Sequence, residues 1–151
     1  MEKISIEGVV VQPLKMIADK LGVVLHMLQS NGPLFEKFGE VYFSEINPSA
    51  VKAWKKSKRQ TQNLAIPVGR VNLVIYDDRQ ESTTRGSLFN CMLGRPNHYN
   101  LVHIPPLLWY GFQGLGDVPA LIANCPDRPH DPSESEKIHP ESNFIPYTWP
   151  A

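Results

Sequence analysis

Short segments rich in β-branched and aromatic residues, separated by turn-forming residues, constrain the fold of this chain most strongly. The clearest segments are residues 9–11, 23–27, 41–44, 71–76 and 101–104. Glycine, proline and asparagine between them favour turns. Such segments, recurring at roughly 8–12 residues, predict an all-β sandwich or barrel. The best helix candidates, residues 13–20 and 33–38, are short.

Length and charge narrow the class of protein. A chain of 151 residues suits one domain. Its 15 basic and 15 acidic side chains balance, so no general attraction to nucleic acid or anionic membranes is expected. No apolar run approaches the roughly 20 residues of a membrane helix, and residues 1–5 lack a signal-peptide layout. Cys91 and Cys125 are predicted to be reduced thiols. These features predict a soluble cytoplasmic protein with no nucleic-acid or membrane partner.

The composition changes after Cys125. Six prolines are spread among acids and serines as far as Pro150. We expect a barrel over about residues 8–125 and an extended Pro-rich C-terminal arm over residues 126–151, with one helical turn near residues 133–137. The arm ends in an apolar segment, so it is predicted to pack either on its own barrel or on a partner subunit. Residues 1–151 are thus interpreted as one domain.

A longer pattern carries a family resemblance. Residues 51–69 keep the spacing of the first cupin signature, in which His-x-His is followed by an acid and a glycine. Together with residues 39–44, 71–83 and 104–112, in this order, they resemble the dTDP-4-dehydrorhamnose 3,5-epimerase family of the cupin superfamily. The resemblance covers about residues 8–131. It implies a double-stranded β-helix (jelly roll), a homodimer, and a nucleotide sugar used in deoxysugar or polysaccharide biosynthesis.

The family's chemistry requires groups that this chain has replaced. Family members remove a proton next to the ketone of a 4-keto sugar and return it on the other face, which needs a base, an acid and an enolate stabiliser. By resemblance, the family's base histidine falls on Lys55, its acid tyrosine on Ala123 and a second histidine on Tyr110. An arginine of the family falls on Lys52, a lysine on Gln62 and the phosphate-binding arginine on Leu21. The chain is therefore predicted to be a divergent member lacking the usual catalytic residues.

The same substitutions argue against a metal. Metal-binding cupins place histidines and an acid where this chain has Lys55, Ser57, Gln62 and Tyr110. An ammonium cannot ligate, and neutral hydroxyl and amide groups are poor partners for a transition metal. We therefore expect no metal and no other cofactor. A metal-dependent oxygenase would require bound iron or manganese, which the sequence does not predict.

Lys55 is the residue whose placement matters most. Inside a barrel its ammonium must meet an anion or lose its proton. A lowered pKa would suit a base, or an amine that forms a Schiff base. Strand alternation places Lys55 and Ser57 on one face, and Lys52, Trp54 and Lys56 on the other, unless a bulge intervenes. Two alternatives stay open: Lys52 and Lys55 clamp the phosphates of a ligand without catalysis, or the basic run over residues 52–59 forms a solvated edge.

The sequence is compatible with two functions. The first is a sugar-nucleotide epimerase or isomerase acting on a 4-keto deoxysugar nucleotide through a rebuilt site, with Lys55 and Tyr110 as catalytic residues. The second is a non-catalytic cupin that binds a sugar nucleotide or related metabolite. The predicted substrate-binding residues are Lys52, Ser57, Gln60, Gln62 and Trp109. Asp77, Asp78 and Arg79 are predicted to form a turn with a structural ion pair.

Overall fold

The structure, a computed structural model, describes residues 2–3 and 5–151. Met1 and Ile4, part of the N-terminal stretch interpreted above, lie outside the described residues. The strands are β1 Glu2–Lys3, β2 Val10–Pro13, β3 Met16–Asp19, β4 Gly22–Leu25, β5 Tyr42–Ile46, β6 Val51–Ser57, β7 Gln62–Val68, β8 Arg70–Tyr76, β9 Leu88–Gly94, β10 Asn100–Ile104, β11 Trp109–Leu115, β12 Ala120–Asn124 and β13 Ser135–Lys137. A 3₁₀ turn, Pro132–Glu134, precedes β13. Within these ranges, no helix is long and apolar enough to cross a membrane.

Two antiparallel sheets face each other. The six-stranded sheet has the order β1-β2-β10-β7-β12-β5, and the five-stranded sheet has the order β13-β6-β11-β8-β9. Leu64 and Ile122 from the first sheet share one buried apolar cluster with Leu73 and Ile75 from the second. The inward faces alternate with outward residues, as in other packed sheets. This arrangement confirms the predicted all-β jelly roll.

Both helix predictions are wrong. Residues 16–25 form the β3–β4 hairpin, whose turn is held by the Asp19 side chain. Its Oδ1 accepts hydrogen bonds from the backbone N–H of Leu21 at 2.7 Å and of Gly22 at 3.1 Å. An aspartate that bonds its own backbone in this way stabilises a turn instead of a helix. Residues 33–38 form a turn and irregular chain.

The C-terminal arm packs on its own barrel. Strand β13 pairs with β6, and the later arm buries Ile145 in a second apolar cluster with Trp54. The indole of Trp54 lies 5.1 Å from that of Trp149 between ring centroids, and its Nε1 donates to the Pro140 carbonyl at 3.2 Å. The arm therefore covers the outer face of the five-stranded sheet. The helical turn lies at Pro132–Glu134, slightly before the predicted position.

A β-bulge changes which side chains of β6 face inwards. Tyr110 pairs with Lys55 and Phe112 pairs with Lys52, so three steps along β6 match two along β11. A bulge of this kind resets the alternation of faces. As a result, Lys52 and Lys55 both line the interior cavity. Simple alternation therefore predicts the wrong face for Lys52. The prediction excepted the case of a bulge in β6, and the structure contains one.

The Asp77 region forms the predicted turn with an ion pair. The Asp77 side chain is fully buried, and the Arg79 guanidinium donates to its two carboxylate oxygens at 2.9 Å each. The hydroxyls of Ser82 and Thr84 donate to the same carboxylate at 2.6 and 2.7 Å. These donors hold the pKa of Asp77 far below its usual range despite the opposing effect of burial. The cluster anchors the loop between β8 and β9.

Candidate functional site

A cavity of about 410 Å³ lies between the two sheets. Its walls combine charged and polar groups with apolar side chains, as is usual for small-molecule sites. The five-stranded sheet contributes Lys52, Lys55, Tyr110, Phe112 and the arm residue Lys137, and the six-stranded sheet contributes Tyr42, Ser44, Leu64, Ile122 and Asn124.

Lys55 and Tyr110 form a cross-strand pair in this cavity. They are directly opposite each other on β6 and β11. Burial, followed by the charge of Lys137, lowers the pKa of Lys55, whereas Glu40 acts in the opposite direction. Burial raises the pKa of Tyr110, so its hydroxyl stays protonated at neutral pH. Two neighbouring groups whose pKa values are shifted in these directions suit a base and a hydrogen-bond donor.

Positive charge dominates the cavity. Lys137 on β13 is the register partner of Lys55, and Lys52 Nζ donates to Ser44 Oγ at 2.8 Å. Among the described residues, none of these three lysines forms an ion pair, and the cavity walls carry no carboxylate. Ammonium groups without an ion-pair partner around a cleft favour an anionic ligand.

A buried chain of polar side chains supports the wall of the cavity. Asn124 Nδ2 donates to Tyr42 Oη at 2.9 Å and to Gln62 Oε1 at 2.6 Å. Gln62 Nε2 in turn donates to Ser57 Oγ at 3.1 Å and to Gln60 Oε1 at 3.3 Å. Gln62 is only 1% exposed. A polar network that is satisfied in this way rigidifies the surrounding wall.

The predicted site residues divide into three groups. Lys55, Tyr110 and Lys52 line the cavity together. Ser57, Gln60 and Gln62 are brought together as well, but they lie behind the wall and bond to one another. These hydrogen bonds occupy the amide and hydroxyl groups of the three residues. Their predicted role in substrate contact is therefore corrected to support of the cavity wall.

Trp109 lies away from the cavity. Because it precedes Tyr110 on β11, its indole points to the opposite face of the sheet, under the C-terminal arm. Its Nε1 donates to Asp78 Oδ2 at 3.2 Å, and Lys56 Nζ lies 4.9 Å from the ring centroid. The expected contact with substrate is therefore corrected to packing between sheet and arm.

Sequence reasoning missed four polar residues of the cavity: Tyr42, Ser44, Asn124 and Lys137. Strand alternation in residues 42–46 puts Tyr42 and Ser44 on the same inward face as the buried Ile46, and polar residues on that face were a usable signal. Asn124 and Lys137 carry no comparable signal, because their positions depend on how β12 and the arm dock.

The cavity does not have the donor set of a transition-metal site. The part of the chain that the structure describes contains no cluster of three or more His, Cys, Asp or Glu side chains that could hold a metal ion. The cavity instead presents ammonium, phenol, hydroxyl and amide groups.

A jelly roll with a polar cavity between its two sheets has the architecture of a cupin. No family model matches the chain. The chain is 33% identical over 145 residues to the probable low-salt glycan biosynthesis epimerase Agl13 of Haloferax volcanii, with 95% of this chain and 89% of that protein covered. It is 27% identical over 146 residues to the spore coat polysaccharide biosynthesis protein SpsL of Bacillus subtilis, covering 95% and 96%.

A solved structure is also similar. The crystal structure of a dTDP sugar isomerase from Desulfovibrio desulfuricans G20 matches with a TM-score of 0.97 and 47% identity, covering 99% of this chain and 95% of that chain. The chain belongs to the dTDP-sugar epimerase and isomerase family of cupins, to which dTDP-4-dehydrorhamnose 3,5-epimerase belongs. The predicted family, fold class and isomerase-type function are confirmed.

Proposed function

We propose that this protein binds a 4-keto deoxysugar nucleotide in the cavity and epimerises or isomerises it, in deoxysugar or polysaccharide biosynthesis. The observation that carries the proposal is the Lys55–Tyr110 pair, whose pKa values are shifted in opposite directions within one cavity. The name of the 47% identical dTDP sugar isomerase supports thymidine diphosphate as the nucleotide.

Each group has a role in this reaction. Lys55 in its neutral form removes the proton from the carbon next to the ketone, and the electrons of that bond move into the carbonyl to give an enolate. The protonated hydroxyl of Tyr110 donates a hydrogen bond to the oxygen where negative charge develops. Lys52, at the exposed side of the cavity, attracts the diphosphate. Ser57, Gln60 and Gln62 keep the wall rigid.

The oligomeric state and location are part of the proposal. We expect a homodimer in the cytoplasm, with residues 1–151 acting as a single cupin domain. Support for a dimer comes from the β3–β4 hairpin, where Ile17, Leu21 and Val24 are 55%, 90% and 61% exposed. Exposed apolar groups clustered in this way are typical of an interaction surface. Sedimentation equilibrium of the full chain tests it, and a monomer at micromolar concentration contradicts it.

Solvent isotope exchange tests the catalytic proposal. A panel of 4-keto deoxysugar nucleotides is incubated with the protein in D₂O, and deuterium at the ring carbons is followed by NMR. We expect label next to the ketone, and loss of that label in Lys55→Met. Lys56→Met is the matched control because Lys56 faces outwards, where its Nζ lies 3.3 Å from Glu136 and 3.8 Å from Asp78.

The same experiment distinguishes the alternative. The three cavity lysines, which have no ion-pair partner among the described residues, also favour a non-catalytic binder of a sugar nucleotide. Tight binding without label from any substrate supports the binder and refutes the enzyme.

A Schiff base between Lys55 and the ketone releases water, and borohydride would reduce it to a stable adduct on the Lys55 peptide. Label without that adduct supports proton removal by a free amine.

A further inference from the structure

Inversion at a carbon requires groups on two sides of the substrate, because the proton leaves one face and returns to the other. Lys55 and Tyr110 are neighbours on adjacent strands of the five-stranded sheet. Both therefore approach a bound ligand from the same wall of the cavity. A group that returns the proton from the other side has to belong to the six-stranded sheet. This inference rests on the proposed function.

Tyr42 is the acid that this second wall offers. Of the polar residues through which the six-stranded sheet lines the cavity, Ser44 accepts a hydrogen bond from Lys52, and Asn124 is an amide without an acidic proton. Tyr42 supplies a phenol from β5. Burial raises the pKa of Tyr42, so the phenol keeps its proton at neutral pH.

The hydrogen bonds of Asn124 fix the direction in which the Tyr42 hydroxyl can act. The backbone N–H of Asn63 can only donate, so the Asn124 atom that it meets, 3.2 Å away, is the carbonyl oxygen Oδ1. The other atom, Nδ2, then donates one hydrogen to Gln62 and the other to the Tyr42 oxygen. Because Tyr42 accepts from Asn124, its own hydrogen is free to be donated into the cavity.

The opposite end of the buried chain enforces the same direction. The backbone carbonyl of Arg128 can only accept, so Gln60 turns its Nε2 towards it at 2.8 Å. This leaves Gln60 Oε1 as an acceptor for Gln62 Nε2, and Gln62 presents its own Oε1 to Asn124. Two fixed backbone groups thus orient every amide between them.

We propose that Tyr42 is the general acid that returns a proton to the substrate from the six-stranded sheet, and that the Asn124–Gln62–Gln60 chain holds its hydroxyl as a donor. In this step the O–H bond of Tyr42 breaks, and the electrons of the enolate form the new C–H bond. The Asn124 N–H group then stabilises the phenolate oxygen. Solvent reprotonates Tyr42 and accepts the proton held by Lys55.

Tyr42→Phe separates this role from proton removal. Substrates that exchange with the wild type in D₂O are followed for two products: deuterated starting sugar and inverted sugar. The variant is expected to keep exchange, because Lys55 returns deuterium to the face it attacked, and to lose inversion by about 10²–10⁴-fold. Inversion at the wild-type rate overturns the proposal, and so does the loss of both exchange and inversion. If the wild type exchanges no substrate, the proposed function fails first.

Asn124→Asp tests the role of the buried chain in positioning Tyr42. A carboxylate at this position accepts the Tyr42 hydrogen and withdraws it from the cavity, so the variant is expected to exchange without inverting, as Tyr42→Phe does. Asn90→Asp is the matched control, since Asn90 is an exposed amide on β9 outside the cavity. Circular dichroism of both variants tests whether they are folded. Full inversion by the folded Asn124→Asp variant overturns the assignment of a positioning role.

Discussion

Replacing Lys55 by methionine is expected to stabilise the folded protein at neutral pH while removing its activity. Lys55 is half-buried, and its register partner across the β6–β13 ladder is a second lysine, Lys137. Like charges directly opposite each other on neighbouring strands are destabilising. Methionine keeps most of the side-chain length and removes the charge.

The magnitude follows from the geometry of the pair. Cross-strand charge pairs typically contribute about 0.2–1 kcal/mol. Because Lys137 is exposed, solvent screening limits the repulsion to about 0.5 kcal/mol. Relief of the desolvation of the Lys55 ammonium adds to this, and loss of its weaker attraction to Glu40 subtracts from it, so we expect a total of about 1 kcal/mol. For a chain of this size that gain corresponds to about 2–4 °C in Tm.

The effect has a defined pH dependence. The pKa of Lys55 in the folded state lies below its ordinary value of 10.5. The charged form is therefore destabilising at all pH values below the folded pKa, and the penalty disappears as the pH rises from that value towards 10.5. Urea unfolding at a series of pH values should show the full advantage of Lys55→Met at pH 7 and a declining one in alkaline buffer.

A double-mutant cycle tests the physical cause. Lys137→Met should also stabilise the protein, and the double variant should gain less than the sum of the two single changes, because either change alone removes the repulsion. Lys56→Met is the control, and it should not stabilise because Lys56 has acidic partners. Loss of stability in Lys55→Met, or strict additivity with Lys137→Met, would refute the reasoning.

Three further predictions concern the scaffold of the site. Asp77→Asn should lower the free energy of unfolding by about 3 kcal/mol in urea, because Arg79 loses a buried charged partner. Since the pKa of Asp77 is depressed, wild-type stability should fall as the pH drops below about 4, and an equal acid sensitivity in the variant would contradict this. Gln62→Leu should cost about 1–3 kcal/mol and reduce kcat more than it raises KM, because Asn124 loses its buried acceptor; unchanged thermal stability would argue against the network. Ile145→Ala should lower the free energy of unfolding by about 2–4 kcal/mol and accelerate amide hydrogen exchange in the arm and β6. Uniform acceleration throughout the barrel would contradict local docking of the arm.

The strand prediction succeeded where the pattern was local. Residues 71–76 and 101–104 fall within β8 and β10, because β-branched residues between turn-forming residues have few alternatives to a strand. The helix predicted over residues 13–20 failed for a local reason as well. The Asp19 side chain bonds the backbone of the next residues and closes a hairpin, and spacing of apolar residues does not reveal this competition.

Prediction of the site succeeded in part. The resemblance drew attention to Lys55 and Tyr110, and both line one cavity, although their catalytic roles stay predictions. Trp109 was misplaced although alternation on β11 puts it on the face opposite to Tyr110, and the C-terminal arm covers that face. Lys52 was assigned to the wrong face because a bulge cannot be read from side-chain alternation alone.

The sequence by itself determined the class of fold, the positions of most turns, and the replacement of imidazole and carboxylate groups by ammonium, phenol and amide groups. Those features depend on residues close together in the chain. Only the tertiary structure decided that Lys137 opposes Lys55, and that Tyr42 accepts from Asn124, 82 residues away. Burial and partners set both the pKa of a group and the direction of its hydrogen bonds, and in a β-sandwich those partners come from strands distant in sequence.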